Sequence, residues 1–216
     1  MSFLSELKSQ ASALQKQQVS SDQDLAASTK TCESACQVAL RYFQDLCAQL
    51  NIISPSAIGN YSLDGKAAFP LMVMKNFRCD ARRKMLRNQE VTDYVGSGWD
   101  LVPVTGNVAV HSVTVNFPPD LERVTRRLST GQIQHERKEI RHPDTNKLQA
   151  YVFEYRTQSR GSVLLTPDHD TGQINFRIGN VGGFELLNTS YPASQVTHGL
   201  LDELAKKIVG QTSRFN

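Results

Sequence analysis

Hydrophobic residues recur at helical spacing in the N-terminal part of the chain. Four of them follow one another every three or four positions, which is the pattern of an amphipathic helix: Leu4, Leu7, Ala11 and Leu14. A polar stretch at 19–24 interrupts this row, and Ser20 followed three residues later by Gln23 has the spacing of a capping box. The sequence therefore predicts two helices, with the second beginning at Ser20.

The second predicted helix carries the most regular pattern in the chain. Its apolar and small residues alternate spacings of four and three, and we call this row the helix seam: Leu25, Thr29, Cys32, Cys36, Ala39, Phe43, Leu46, Leu50 and Ile53. A row that repeats every 3.5 residues or so needs a partner surface to bury it. We expect packing within the chain, as for most long helices, and the alternative is a homo-oligomer or another protein partner.

The rest of the chain is predicted to form a linker and a sheet. Polar residues and glycines mark the linker at 54–67, and from 68 to 216 β-branched and aromatic residues alternate with turn signals. Connections this short require neighbouring strands to pair antiparallel. The predicted strands are 69–77, 78–87, 91–102, 107–117, 132–141, 148–158, 161–166, 173–180 and 183–187.

Two further helices follow from the positions of proline. Pro118 opens a short helix near 118–130, and Pro192 opens a C-terminal helix near 192–209. The predicted fold class is therefore α+β. A helical arm or hairpin at 1–53 precedes a curved antiparallel sheet of about seven to nine strands, and two helices cover that sheet.

Composition and charge exclude several classes of protein. The chain has 216 residues, a formal charge of +3 and four cysteines, too little charge for a dedicated nucleic-acid binder and too few cysteines for a disulfide scaffold. Glu6 and Lys8 interrupt any secretory signal, and the longest apolar run, 69–74, is too short to cross a bilayer. We expect a cytoplasmic protein with reduced, buried thiols, no cofactor and no membrane partner.

The densest cluster of charge falls on one predicted strand. We call it the basic strip, and its members are Lys75, Arg78, Arg82, Arg83, Lys84 and Arg87. Such a strip can bind phosphates or nucleic acid, or it can be a solvated edge strand whose charges discourage aggregation. No aromatic residue stands between Arg78 and Arg87 to stack on bases, which makes nucleic acid the less favoured partner.

The single tryptophan follows two glycines within a predicted strand. Gly96 and Gly98 indicate a bulge or a close backbone approach, and Trp99 could line a ligand cavity between sheet and helices. The alternative is that Trp99 anchors the core, because a large aromatic side chain often does so. Gly96, Gly98 and Trp99 are therefore the candidate pocket residues.

The sequence shows no catalytic or metal-binding motif. Asp168, His169 and Asp170 form an acid–base cluster on paper, but they fall at a predicted hairpin tip without walls to exclude water. Neither an HExxH motif nor a Gly-x-Ser-x-Gly elbow occurs. The leading hypothesis is a non-enzymatic binding or assembly protein. The alternatives are a small-molecule binder or enzyme with a pocket near Trp99, and a nucleic-acid or phosphate binder using the basic strip.

Overall fold

The protein combines one very long helix with two antiparallel sheets. The computed structural model describes residues 3–215, and in the first helix it describes the side chains of residue 8 and of residues 22 onward. Within that range the chain forms three helices and eight strands, which confirms the predicted α+β class. They are α1 (Phe3–Ile53), β1 (Met72–Leu86), β2 (Gln89–Pro103), β3 (Val110–Val115), α2 (Pro118–Thr130), β4 (His135–Arg141), β5 (Leu148–Arg156), β6 (Ser159–Asp168), β7 (Gln173–Gly179), β8 (Leu186–Pro192) and α3 (His198–Ile208).

The N-terminal segment is one helix, so the prediction of two helices with a start at Ser20 is wrong. Helix α1 runs through 51 residues without a break and is roughly 77 Å long at 1.5 Å per residue. The polar residues at 22–24 are exposed, and neither Gly nor Pro occurs at 19–24 to interrupt the helix. The side chains of Leu4, Leu7, Ala11 and Leu14 lie outside the described residues.

Helix α1 packs on the larger sheet. This sheet has five strands in the order β1-β2-β6-β7-β8, all antiparallel to their neighbours. Phe43 of α1 and Trp99, Leu165 and Phe176 of the sheet are completely or almost completely buried in a common core. Helix α3 lies beside α1, where the Tyr42 hydroxyl donates a 2.7 Å hydrogen bond to Asp202.

The smaller sheet is inserted between two adjacent strands of the larger one. Strands β2 and β6 pair directly, yet β3, α2, β4 and β5 intervene in the sequence and form a second sheet in the order β3-β5-β4 with α2. Phe69 stacks on Tyr155 of this sheet with ring centroids 5.3 Å apart. The segment before Phe69 is fixed as well, because Arg127 of α2 donates to the backbone oxygens of Ser62 and Leu63.

Several predicted boundaries differ from the structure. Segments 69–77 and 78–87 form the single strand β1, in which the register shifts after Lys75 and again after Arg82. The C-terminal helix starts at His198, because Pro192 still pairs with Gln173 in the sheet and a short 3₁₀ turn follows it. Within the described residues, no helix has both the length and the apolar character needed to cross a membrane.

Candidate functional site

The two faces of the five-stranded sheet have different environments. Side chains alternate between the faces along each strand, so Val95, Trp99 and Leu101 face α1 and are buried. Gly96 and Gly98 belong to the opposite face. We call the buried face, which contacts α1, the helix face. We call the opposite face the open face, because most of its residues are half-buried or exposed.

A groove of about 680 Å³ runs over the open face. Its floor follows the strand register: Gly98 pairs with Ser162, and Ser162 pairs with Gly179. The neighbouring row contains Gly96, Leu164 and Arg177. We call this cavity the open-face groove. Three of these six floor positions are glycines, so backbone rather than side chains forms much of the floor.

Two walls flank the floor of the open-face groove. Arg78 and Asp80 of β1 line one side together with Tyr94, and the other side is formed by Ser129, Thr130 and Gln132 at the end of α2. Hydroxyl and amide groups of this kind can both donate and accept hydrogen bonds. The groove therefore offers neutral polar partners along one wall and charged groups along the other.

Asn180 holds the α2 wall against the floor. Its amide nitrogen donates to the backbone oxygens of Thr130 and Arg160 at 2.8 and 2.7 Å, joining the end of α2 to β6. The residue is 3% exposed and has φ +60°, a left-handed conformation that asparagine tolerates better than most residues. Its side-chain oxygen has no hydrogen-bond partner among the described residues.

Tyr61 contributes to the same support from behind. Its hydroxyl donates to the backbone oxygens of Asn180 and Val181 at 2.9 and 3.0 Å. Burial raises the pKa of Tyr61 to about 12, and the negative charge of Glu185 acts in the same direction. The turn after β7 is thus fixed by a neutral phenol that keeps its proton throughout the physiological range.

The charged residues of the groove differ in whether they have partners. Arg78 and Arg160 both approach Asp100, at 3.6 and 3.7 Å. The Tyr94 hydroxyl donates to Asp80 at 3.0 Å, and this hydrogen bond to a carboxylate raises the pKa of Tyr94. The Arg177 side chain is exposed in the groove and makes no hydrogen bond or ion pair with any described residue.

The structure does not bring the whole basic strip onto one surface. Arg78, Arg82 and Lys84 lie on the open face, where Asp93 pairs with Arg82 and Lys84 at 3.9 and 3.1 Å. Arg83 points to the helix face instead, and its guanidinium lies 3.3 Å from Glu33 of α1.

At the two ends of the strip the environments differ again. Arg87 forms an ion pair with Asp170 and donates to the Thr29 hydroxyl, so it links the end of β1 to α1. Lys75 is exposed near the start of β1, opposite Asp100 in the register. Of the basic strip, only Arg78 lines the open-face groove.

The candidate pocket residues are divided between the two faces. Gly96 and Gly98 line the open-face groove, whereas Trp99 is 0% exposed and lies on the helix face. Trp99 stacks on Phe77 with ring centroids 5.5 Å apart. Its indole also covers the backbone of Gly161, where an added Cβ would lie 2.1 Å from the ring. The two glycines are therefore together in a cavity and the tryptophan is separate from them.

The helix seam packs against the sheet of the same chain from Thr29 to Leu50. Its fully buried members include Cys32, Cys36, Ala39 and Phe43, while Leu25 and Leu46 are half-buried and Ile53 is exposed. Burial raises the pKa of Cys32 to about 11 and that of Cys36 to about 12, and nearby carboxylates act in the same direction. These thiols are free and protonated at neutral pH.

His169 is buried although it lies in the turn of the β6–β7 hairpin, so the expectation that this hairpin tip lacks walls to exclude water is wrong for His169. The residue is 3% exposed, and its Nε2 atom lies 2.8 Å from the backbone oxygen of Thr92. Helix α1 runs over the turn, where the Thr29 hydroxyl contacts the backbone oxygen of His169. Among the residues that the structure describes, no group of three His, Cys, Asp or Glu side chains is placed to hold a metal ion.

Sequence reasoning missed Ser162, Arg177 and Asn180. The pairing of β6 with both β2 and β7 brings Ser162 beside Gly98 and places Arg177 in the row of Gly96, and this pairing leaves no local signal in the sequence. Asn180 between two glycine-containing segments indicated only a turn. Compared with protein-family models, curated proteins and solved structures, the chain gives no significant match.

Proposed function

We propose that this chain is a non-enzymatic binding protein and that the open-face groove is its recognition surface. The observation that carries the proposal is the contrast between a sheet face sealed by α1 and an opposite face left open with a cavity of about 680 Å³. Cavities of roughly 300–1,000 Å³ are typical of small-ligand sites. Helix α1 then acts as the scaffold that buries the helix face.

Gly98 supports this reading because packing does not require a glycine there. A Cβ added at Gly98 would meet only the backbone oxygen of Gly161, at an ordinary distance of 3.7 Å. Glycine weakens a strand interior, and one common reason for its presence is the close approach of a ligand or another backbone. Neither steric crowding nor a positive φ requires glycine at position 98. Its presence is therefore consistent with a groove floor that contacts a ligand.

Nucleic-acid binding through the basic strip receives less support. Most of its cations have a carboxylate partner, and Arg83 lies on the helix face. Binding to a phosphate backbone requires several cations on one surface that are free to replace counterions.

The proposal is tested by mapping where small molecules bind. The full chain, labelled with ¹⁵N, is mixed with a defined set of neutral sugars, carboxylic acids and phosphate monoesters, and amide shifts are recorded. We expect the shifts to concentrate at Gly96, Gly98, Ser162 and Gly179. A Gly98→Leu variant, whose added Cβ would approach no atom closer than 3.7 Å and whose longer side chain occupies the groove, should lose them.

The matched control is Ser112→Leu, which adds the same side chain at an exposed position of β3. This variant should retain the shifts at the groove. Shifts confined to another surface, or shifts at the groove that survive Gly98→Leu in a folded protein, would show that the open-face groove is not the recognition surface.

A further inference from the structure

We infer that the open-face groove takes a small hydroxylated anion whose carboxylate or phosphate group is bound by Arg177. This inference rests on the proposed function and adds the chemical class of the ligand. It depends on three features of the groove: the charge of Arg177, the glycine floor beside it and the neutral polar groups around it.

The charge of Arg177 is not balanced within the groove. Its lateral neighbours are Leu164 and Asn188, which are both neutral. The carboxylate in its own row is Asp80, which is three strands away and therefore about 14 Å distant at the usual strand spacing. Asp80 already accepts the Tyr94 hydroxyl. Arg78 differs, since it approaches Asp100.

Arg177 shares the open-face groove with two glycines of the next row. Gly179 is the next residue on the same face of β7, and Gly98 completes that row across β6. A Cβ at Gly179 would lie 3.2–3.3 Å from Leu186 and Ser162, whereas one at Gly98 would meet only a backbone oxygen at 3.7 Å. The room for an anion that faces the guanidinium is therefore over Gly98 rather than over Gly179. Arginine binds carboxylate and phosphate groups through two parallel hydrogen bonds, which favours these two groups over a monatomic ion.

The rest of the groove fits hydroxyl groups. Ser162 stands on the floor between Gly98 and Gly179, and the α2 wall presents Ser129, Thr130 and Gln132. These side chains can donate to and accept from hydroxyls, which an apolar ligand could not exploit. One cation without a partner, together with neutral polar groups on the floor and the α2 wall, matches a ligand with one anionic group and several hydroxyls. It does not match a polyanion.

The test compares four probes on the full chain by following amide shifts at the groove. The probes are glucuronate, glucose 6-phosphate, glucose and inorganic phosphate. We expect glucuronate or glucose 6-phosphate to bind at least about tenfold more tightly than glucose, the factor that one charge-assisted hydrogen bond supplies. The same probe should also bind more tightly than inorganic phosphate. Which of the two acidic sugars binds better identifies the anionic group.

Variants assign the preference to one side chain. Arg177→Met should abolish the advantage of the acidic sugar over glucose, and Arg177→Lys should retain part of it. The control is Arg126→Met, which removes an exposed arginine of α2 outside the groove and should change nothing.

The outcomes separate this inference from the proposed function. If glucose and the acidic sugars bind the groove equally, or if Arg177→Met keeps the preference, the inference is wrong while the groove remains a recognition surface. If the acidic sugars shift only amides elsewhere, the inference also fails. If neither these probes nor the broader mixture shifts groove amides, the proposed function fails with it.

Discussion

The helix face and the open face of the five-stranded sheet are built by alternate residues of the same strands. On β7, Ile174, Phe176 and Ile178 are buried on the helix face, whereas Asn175 and Arg177 are exposed on the open face. The helix-face residues are accounted for by packing, because each fills space between the sheet and the helices. No such packing explains the open face. Residues on the open face are therefore the ones to examine for binding.

The largest expected effect is on the free energy of unfolding, which a substitution on the helix face should lower much more than one on the open face. Phe176→Ala removes a ring that contacts Tyr191 and Phe215, and it should lower the free energy of unfolding by about 3–5 kcal/mol. Asn175 is the neighbouring residue of β7 and lies on the open face. Asn175→Ala should change the free energy of unfolding by less than about 0.5 kcal/mol. Urea unfolding measures both. Equal losses would contradict the division into a packed and an unpacked face.

A pair of glycines on adjacent strands sharpens the same comparison. An added Cβ at Gly161 would lie 2.1–2.3 Å from the Trp99 ring, so Gly161→Ala should destabilise by about 3 kcal/mol through overpacking. Gly98→Ala adds a Cβ that makes only one ordinary contact, 3.7 Å from the Gly161 oxygen, and should stabilise by about 0.5 kcal/mol because alanine loses less backbone entropy. Thermal and urea unfolding of the two variants gives the sign of each change. A destabilised Gly98→Ala would mean that packing, not a ligand, selects this glycine.

Asn180 tests how firmly the groove wall is attached. Asn180→Ala leaves the backbone oxygens of Thr130 and Arg160 without their buried donor and should cost about 2 kcal/mol. Amide exchange should accelerate at the end of α2 more than in β2. Uniform acceleration across both sheets would indicate a general loss of stability rather than a detached wall.

The smallest expected effect is a decrease in the free energy of unfolding at high pH, which arises from a buried thiol of α1 that packs on the helix face. Burial raises the pKa of Cys36 from 9.0 to about 12, so the unfolded thiol loses its proton before the folded one does. The contribution of this thiol to the free energy of unfolding is fully present well below pH 9 and declines as pH rises towards 12. At pH 10 the loss is about 1 kcal/mol. Urea unfolding between pH 8 and pH 10.5 should show a shallower decline for Cys36→Ala. An identical slope for both proteins would contradict this account.

Sequence patterns predicted the helix face better than the open face. The spacing of Cys32, Cys36, Ala39 and Phe43 indicated a buried helical row, because burial imposes a local period that a single chain segment displays. The groove has no such period. Gly98, Ser162 and Gly179 come from three strands, and they meet only through strand pairings that local patterns do not specify.

The predicted break at Ser20 shows a second limit of local patterns. Residues that often cap a helix can also occur inside one, because polar residues on the exposed surface of a helix lower its stability only slightly. The prediction that Gly96, Gly98 and Trp99 are the residues of one pocket did not take into account that side chains alternate between the faces of a strand. Gly98 and Trp99 are adjacent in sequence and therefore belong to opposite faces of the sheet.

The insertion of the smaller sheet between β2 and β6 has a consequence for how the groove could diversify. Without residues 104–158, the larger sheet would be a simple meander in which each strand pairs with the next. The meander supplies the floor, with Gly96, Gly98, Ser162 and Gly179, whereas the inserted segment supplies the α2 wall. Under the proposed function, changes of length or composition within the insertion would alter ligand specificity while the meander and its helical cover stay the same. The two parts of the site can therefore be changed separately as long as Asn180 keeps its hydrogen bonds to Thr130 and Arg160.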